Sequence, residues 1–261
     1  MDELARWQDD EAAARPERFG PEEWRLRLQL ALCYRIFARL GWTELIYNHI
    51  TLRLPGAEPH FLINPFGLLY EEVTASNLVR IDLAGRVTGE GAARVNPAGF
   101  VLHGAIHAAL PAAHCIMHVH TTAGMAVASS EGGLSMSNFY AAQLRGQVGY
   151  HDFEGITLHE EEKARIVANL GGRHCLILRN HGLLALGETV AQAFAFLWTL
   201  NRACEVQLAS CAMGKVIMIP DAIAARASAE ALQFDPAHGG GWDVFNALRR
   251  RIEREDPDYR S

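Results

Sequence analysis

Apolar positions along the chain change period several times, and each change marks an element. From Pro21 the residues Trp24, Leu28, Ala31, Leu32 and Arg35 fall on one side of a helix, and Gly41 closes it after Leu40. Short extended pieces follow at 49–54 and 60–63. Pro55-Gly56 joins them, which predicts a hairpin. Asn64-Pro65-Phe66-Gly67 has turn chemistry. A second strand pair is expected at 78–83 and 86–87, bent at Ala84-Gly85.

Asn96-Pro97 pairs a cap with a first-turn proline and opens a helix to Leu110, where Pro111 stops it. Residues 115–120 read as a strand, and Thr121 or Thr122 caps the next helix. The stretch 130–150 shows no period and reads as irregular. A strand is expected at 155–158, a helix at 160–170 closed by Gly171-Gly172, and strands at 174–179 and 183–185 around Asn180-His181-Gly182. The longest helix is expected from Glu188 to Met213. Helices at 222–232 and 242–254 end the chain, with Gly239-Gly240-Gly241 as a joint between them.

This order predicts an α/β domain with a mostly antiparallel central sheet over 21–218. A polar arm over 1–20 and a helical extension over 219–261 flank it. The 261 residues are 49% apolar and 21% charged, enough to bury a core without staples. A net charge of −6 argues against a general nucleic-acid footprint. The basic run Arg249 to Arg251 is followed by Glu253, Glu255 and Asp256, so it reads as a solvated helix face. Five cysteines with no CxxC suggest reduced, packed thiols and a cytoplasmic setting. No secretory signal and no apolar run of membrane length is visible.

Candidate chemistry lies in the histidines. His118 and His120 alternate with Met117 and Val119, so on a strand both point to one face. Two imidazoles on one face can converge on an ion, although hydrogen-bonded core histidines share the pattern. His181 follows an apolar strand and precedes Gly182, where a tight turn can aim its ring into a pocket. Three histidines with open positions left on the ion form the usual catalytic arrangement. His103 and His107 lie four apart on one helix face, with His103 the better pocket residue. A proton donor would come from His103, Tyr140, His151 or Asp152, although His151 and Asp152 sit in a loop that reads first as exposed polar surface. His49 shows no usable pattern.

Several segments together resemble the class II aldolase/adducin family, closest to its adducin-head-like branch. They are Tyr47-Asn48-His49-Ile50-Thr51, Leu62-Ile63-Asn64-Pro65-Phe66-Gly67, residues 96–103, His118-Val119-His120 and Leu178-Arg179-Asn180-His181-Gly182-Leu183. The resemblance implies a three-layer α/β/α domain. It further implies a homotetramer and one divalent ion on His118, His120 and His181. Zinc is the first expectation, with iron, manganese or cobalt as other ions. It places Asn48, Asn64 and Gly67 near a small-molecule substrate and carries no membrane or nucleic-acid partner.

The departures from the family pattern also matter. The family's general-base glutamate falls at Gly99, and its phosphate-holding serines fall at Pro97 and Ala98. None of these side chains moves a proton or donates a hydrogen bond. The expected activity is therefore a metal-dependent lyase, a decarboxylase or retro-aldolase, for a small non-phosphorylated hydroxy- or keto-acid. The alternatives are an oligomeric module without catalysis, as in adducin heads, and a non-haem iron oxygenase.

Overall fold

The structure, a computed structural model, describes residues 15–89, 94–156, 161–231 and 240–261; for 97–99 it describes the backbone alone. The first helix, α1 (Pro21–Leu40), starts at a proline and ends at Gly41, whose φ of 72° lets its N–H turn back to the Ala38 carbonyl. The strands are β1 (Ile50–Leu54), β2 (His60–Ile63), β3 (Val79–Asp82), β4 (Cys115–Val119), β5 (Val148–His151), β6 (Cys175–Leu178) and β7 (Gly182–Gly187). The other helices are α2 (Pro97–Ala109), α3 (Thr122–Ala128), α4 (Phe139–Gln143), α5 (Glu162–Leu170), α6 (Val190–Cys211), α7 (Asp221–Ala231) and α8 (Trp242–Glu255).

The seven strands form one sheet in the order β3-β2-β1-β4-β7-β6-β5. Every neighbouring pair is antiparallel except β5 and β6. That parallel pair is joined by a crossover containing α5, as parallel strands require.

Side-chain alternation divides the sheet between two helical layers. Ile50 and Leu52 of β1, Met117 and Val119 of β4, and Ile177 of β6 pack toward α1, α3, α6 and α8. Ile116 of β4, Leu176 of β6, and Leu184 and Leu186 of β7 pack toward α2 and α5. Phe61, Ile63, Val79 and Ile81 extend this second face and meet Phe100 of α2. The result is the expected α/β/α sandwich. His118 shares the parity of Ile116, so it faces the α2 layer.

Three expectations need revision. Within 130–150 the chain forms α4 and β5. Asn138 caps α4 by accepting from the N–H groups of Tyr140 and Ala141. Four residues including Gly149 carry too little pattern to announce β5, which is recruited by its pairing with β6. Gly155 and Ile156 form a bend, and 157–158 lie outside the described residues. Of the pair expected at 78–83 and 86–87, the second member is one bridge, Ile81 to Val87. The expected arm and glycine joint fall partly outside the described residues. The C-terminal helix joins the main core: the Phe245 ring lies 6.1 Å from that of Phe194.

Phe194 is fully buried and also meets Phe37 and Trp42. Phe194→Ala should cost about 3–5 kcal/mol of stability. Urea unfolding measures this, and a loss below about 1 kcal/mol would show that this aromatic cluster does not anchor α8 to the core.

Candidate metal centre

Strand register assembles the histidines. In the antiparallel β4–β7 ladder Val119 stands opposite Leu183, which sets His120 across from Gly182 and beside His181. His181 sits in the turn between β6 and β7. Asn180 there adopts φ 56°, a left-handed conformation that asparagine tolerates. Gly182 then allows a close approach. A Cβ at 182 would lie 2.4 Å from the Val119 carbonyl oxygen, 2.9 Å from His120 and 3.2 Å from His118. Any side chain there would push the rings apart.

The three rings meet with centroids 4.5 Å apart for His118 and His120, and 4.8 Å for each pairing with His181. One nitrogen from each lies within 4.8 Å of the others. His118 Nδ1 is 2.9 Å from the Leu183 carbonyl, an acceptor only, so Nδ1 carries the proton and Nε2 keeps its lone pair. That Nε2 points at His120 Nε2, 2.7 Å away. Two nitrogens on one tetrahedral ion stand about 3.3 Å apart, so ion binding asks only for a small ring rotation. The donor set fits a divalent cation: three imidazoles, one held by a backbone carbonyl as metal-binding histidines usually are.

Burial depresses the basicity of all three rings. His118 is held well below the usual histidine range by burial, then by His181, His120 and His49. His181 is lowered to about 4, chiefly by burial. His120 is lowered by burial as well. Neutral imidazoles are the form that binds metal.

A cavity of about 350 Å³ opens on the triad. Tyr47, Asn48, His49, Asn96, Leu102, Phe153, Gly155 and Ile156 line it with the three histidines. Asn48 is 2% exposed, and neither Oδ1 nor Nδ2 has a hydrogen-bond partner. Such orphans cost about 1–3 kcal/mol each, which suits a group waiting for a ligand.

Behind this wall runs a chain of polar groups. His107 Nδ1 is 2.8 Å from the Ala113 carbonyl and must donate to it. Burial lowers His107 to about 3, so its Nε2 is bare. Thr51 Oγ1 lies 2.8 Å from that Nε2 and therefore donates its only proton there. Thr51 Oγ1 then accepts from His103 Nδ1 at 2.7 Å. His103 is held well below the usual range by burial, then by His49, His107 and His118. Its Nε2 is thus a bare lone pair, fully buried and without a hydrogen-bond partner.

Of the site residues expected from sequence, His118, His120, His181 and Asn48 come together. His103 stands behind the cavity wall, packed on His49 at 4.2 Å. Tyr140, Asn64 and Gly67, like His103, His151 and Asp152, are not among the described residues that line the cavity. Tyr140 packs edge-on against Trp198, 5.5 Å away, and the Asn138 amide that caps α4 donates to the Ala203 carbonyl of α6. Asn64 accepts from the Tyr34 hydroxyl at 2.9 Å, which holds it in the core. Gly67 serves the turn after β2, with φ 102°. Pro97, Ala98 and Gly99 open α2, and their side chains lie outside the described residues. His151, expected in a loop, ends β5 and lies 3.1 Å from Glu162. His49 is the main residue that sequence reasoning missed. Its strand parity with Thr51, on the face that α2 covers, was the available signal.

The family model described as "Class II Aldolase and Adducin N-terminal domain" matches residues 28–208. The chain belongs to the class II aldolase/adducin family. It is 41% identical over 241 residues to a Pseudomonas aeruginosa protein named as a candidate class 2 aldolase, covering 91% of this chain and 93% of that one. It is 51% identical over 186 residues to rat (Rattus norvegicus) alpha-adducin, covering 70% of this chain but 25% of that protein. The L-fuculose 1-phosphate aldolase structure from Glaciozyma antarctica superposes with a TM-score of 0.82 at 30% identity, covering both chains fully. Among the described residues, no helix is long and apolar enough to cross a membrane.

Two outcomes follow. Gly182→Ala should lower zinc affinity about 10–100-fold, as loss of correct ligand orientation does, with the fold retained by circular dichroism; unchanged affinity would mean the close approach is unnecessary. Stability of the metal-free chain should also depend on pH. A histidine with a depressed folded value is favoured neutral, so its contribution is full above the ordinary 6.5. It is lost as pH falls toward about 4 for His181 and about 3 for His107. Denaturant midpoints that stay flat from pH 7 to 4 would contradict this.

Proposed function

We propose that this protein is a divalent-metal-dependent lyase, a decarboxylase or retro-aldolase, for a small non-phosphorylated hydroxy- or keto-acid. The observation that carries the reading is the convergence of three neutral imidazoles on one point at the base of a cavity. An ion held by His118, His120 and His181 supplies Lewis-acid stabilisation of charge developing on substrate oxygen. Neutral ligands leave its full double charge available to an anionic substrate.

The chain's own residues shape the remainder. No Lys or Arg is among the described residues lining the cavity, which disfavours a phosphate group. Tyr47, Leu102, Phe153 and Ile156 give apolar walls that exclude water from part of the substrate. Asn48 offers an unused acceptor and an unused donor to orient it. Zinc is the first ion to test, and a homotetramer is the assembly that goes with this reading.

The 51% identity to alpha-adducin favours a second reading, an oligomeric module without catalysis. Metal content and turnover separate the two. The lyase reading expects a stoichiometric divalent ion in the purified protein, lost in His118→Ala and His181→Ala, and cleavage of at least one acid in a hydroxy- and keto-acid panel. A protein that carries its ion and cleaves none of them contradicts the lyase. A protein that retains no ion on zinc loading supports the module.

A further inference from the structure

A second cavity, of about 580 Å³, lies at the outer edge of the sheet beside the edge strand β3. It shares no described lining residue with the metal cavity. Strand β4 stands three places from β3, about 14 Å across the sheet. Among the described residues lining this second cavity, Arg18, Arg27 and Arg80 are cationic and only Glu23 is acidic. Two positive charges are therefore in excess.

The three guanidiniums differ in how far the protein already engages them. Arg27 is 3% exposed and fully engaged. Its Nε donates to Glu23 at 2.8 Å, and its Nη1 donates to the carbonyls of Ala75 and Leu78. It also lies over the Phe19 ring at 3.9 Å, and that ring stacks on Trp24. Arg80 is only partly engaged. Its Nη2 donates to His60 Nδ1 at 3.2 Å and its Nη1 reaches Glu23 only at 3.8 Å, while its buried Nε has no hydrogen-bond partner. Arg18 is exposed and donates one long bond, 3.3 Å, to the Ser76 carbonyl. Glu23 already serves Arg27, so it leaves Arg18 and Arg80 without a close counter-ion. Burial lowers the basicity of Arg27, Glu23 raises it, and Arg18 and Arg80 lower it again by repulsion. Both flanking charges thus act on one point.

We propose that this cavity binds a small phosphate monoester through Arg18 and Arg80, with Arg27 as its fixed floor. The inference is independent of the lyase reading. A phosphate dianion carries its two charges on one group, which matches two excess charges gathered at one place. The planar guanidinium stays protonated and presents paired N–H donors that fit phosphate oxygens. The unused Arg80 Nε is such a donor, and a buried donor without a partner is costly until a ligand accepts from it. The Ser76 and Thr88 hydroxyls line the same space. Their present bonds are long, 3.3 Å to Thr74 Oγ1 and 3.5 Å to the Arg80 carbonyl, so both can turn to a ligand. The volume suits a small organic molecule, and Phe19, Val79 and Val87 offer its body an apolar wall. The metal cavity, by contrast, has no arginine or lysine among its described lining residues. Phosphate recognition is thereby separated from the metal centre within one chain.

Calorimetric titration of the metal-free full chain with phenyl phosphate tests this, at about 0.15 M salt so that loose surface attraction is screened. Wild type should bind one equivalent with a Kd of about 1 mM or tighter. Arg80→Gln and Arg18→Gln should each weaken binding about tenfold or more, and the double variant should abolish it. Circular dichroism confirms the fold of each variant, and the exposed Arg18 is the safer of the two substitutions. Arg25→Gln, on the same helix as Arg27 but outside this cavity, should bind as wild type does. His118→Ala, in the metal cavity, should do so too. Succinate, a dianion with its charges on two groups, should bind at least about tenfold more weakly than phenyl phosphate. Absence of saturable binding in wild type overturns the proposal, as do folded arginine variants that bind unchanged. Loss of binding in His118→Ala would place the anion in the metal cavity instead, and succinate binding as tightly as phenyl phosphate would refute phosphate as the ligand class.

Discussion

The hydrogen bond between His118 Nδ1 and the Leu183 carbonyl, 2.9 Å long, fixes the polarity of the centre. A carbonyl cannot donate, so the ring must present a bare nitrogen on its other side. That nitrogen faces His120 and His181. The bond also crosses the β4–β7 ladder, in which Val119 pairs with Leu183. The register of the sheet and the chemistry of the ligand are therefore set by the same residues. A slip by one residue would turn His118 into the opposite core, among Met117, Val119 and Ala185.

The same device recurs behind the cavity. The Ala113 carbonyl orients His107, and Thr51 passes that orientation to His103. Burial keeps both rings neutral, so the column adds no positive charge beside a site suited to a cation. Thr51 performs this on a strand whose alternate residues, Ile50 and Leu52, belong to the other core. One short strand thus serves hydrophobic packing on one face and a polar relay on the other. The combination explains how several buried histidines are accommodated without ionised partners.

Much of this was legible in the sequence where one element carries the signal. The HxH pair announced its shared face through simple alternation, and Asn180-His181-Gly182 announced a turn. Helix α1 was bounded by Pro21 and Gly41 as read. What could not be read depends on pairing between distant segments. Strand β5 gains its form from β6, and the short α4 is tied to α6 where the Asn138 side chain donates to the Ala203 carbonyl. His49 looked bland because its setting comes from other elements: it packs on His103 and lines a cavity with Phe153 and Ile156. Asn64 and Tyr140 were drawn into core contacts with Tyr34 and Trp198, which local patterns do not encode.

The family model joins class II aldolases with the adducin N-terminal domain, and a shared scaffold does not by itself name an activity, so function rests on the site. The account stands on three imidazole nitrogens sharing one ion. X-ray absorption spectroscopy of the zinc-loaded chain tests that most directly. It should show a first shell of nitrogen and oxygen at about 2.0–2.1 Å, with the scattering signature of three imidazoles and no sulfur. A shell with one imidazole, or with zinc bound to cysteine sulfur, would contradict it.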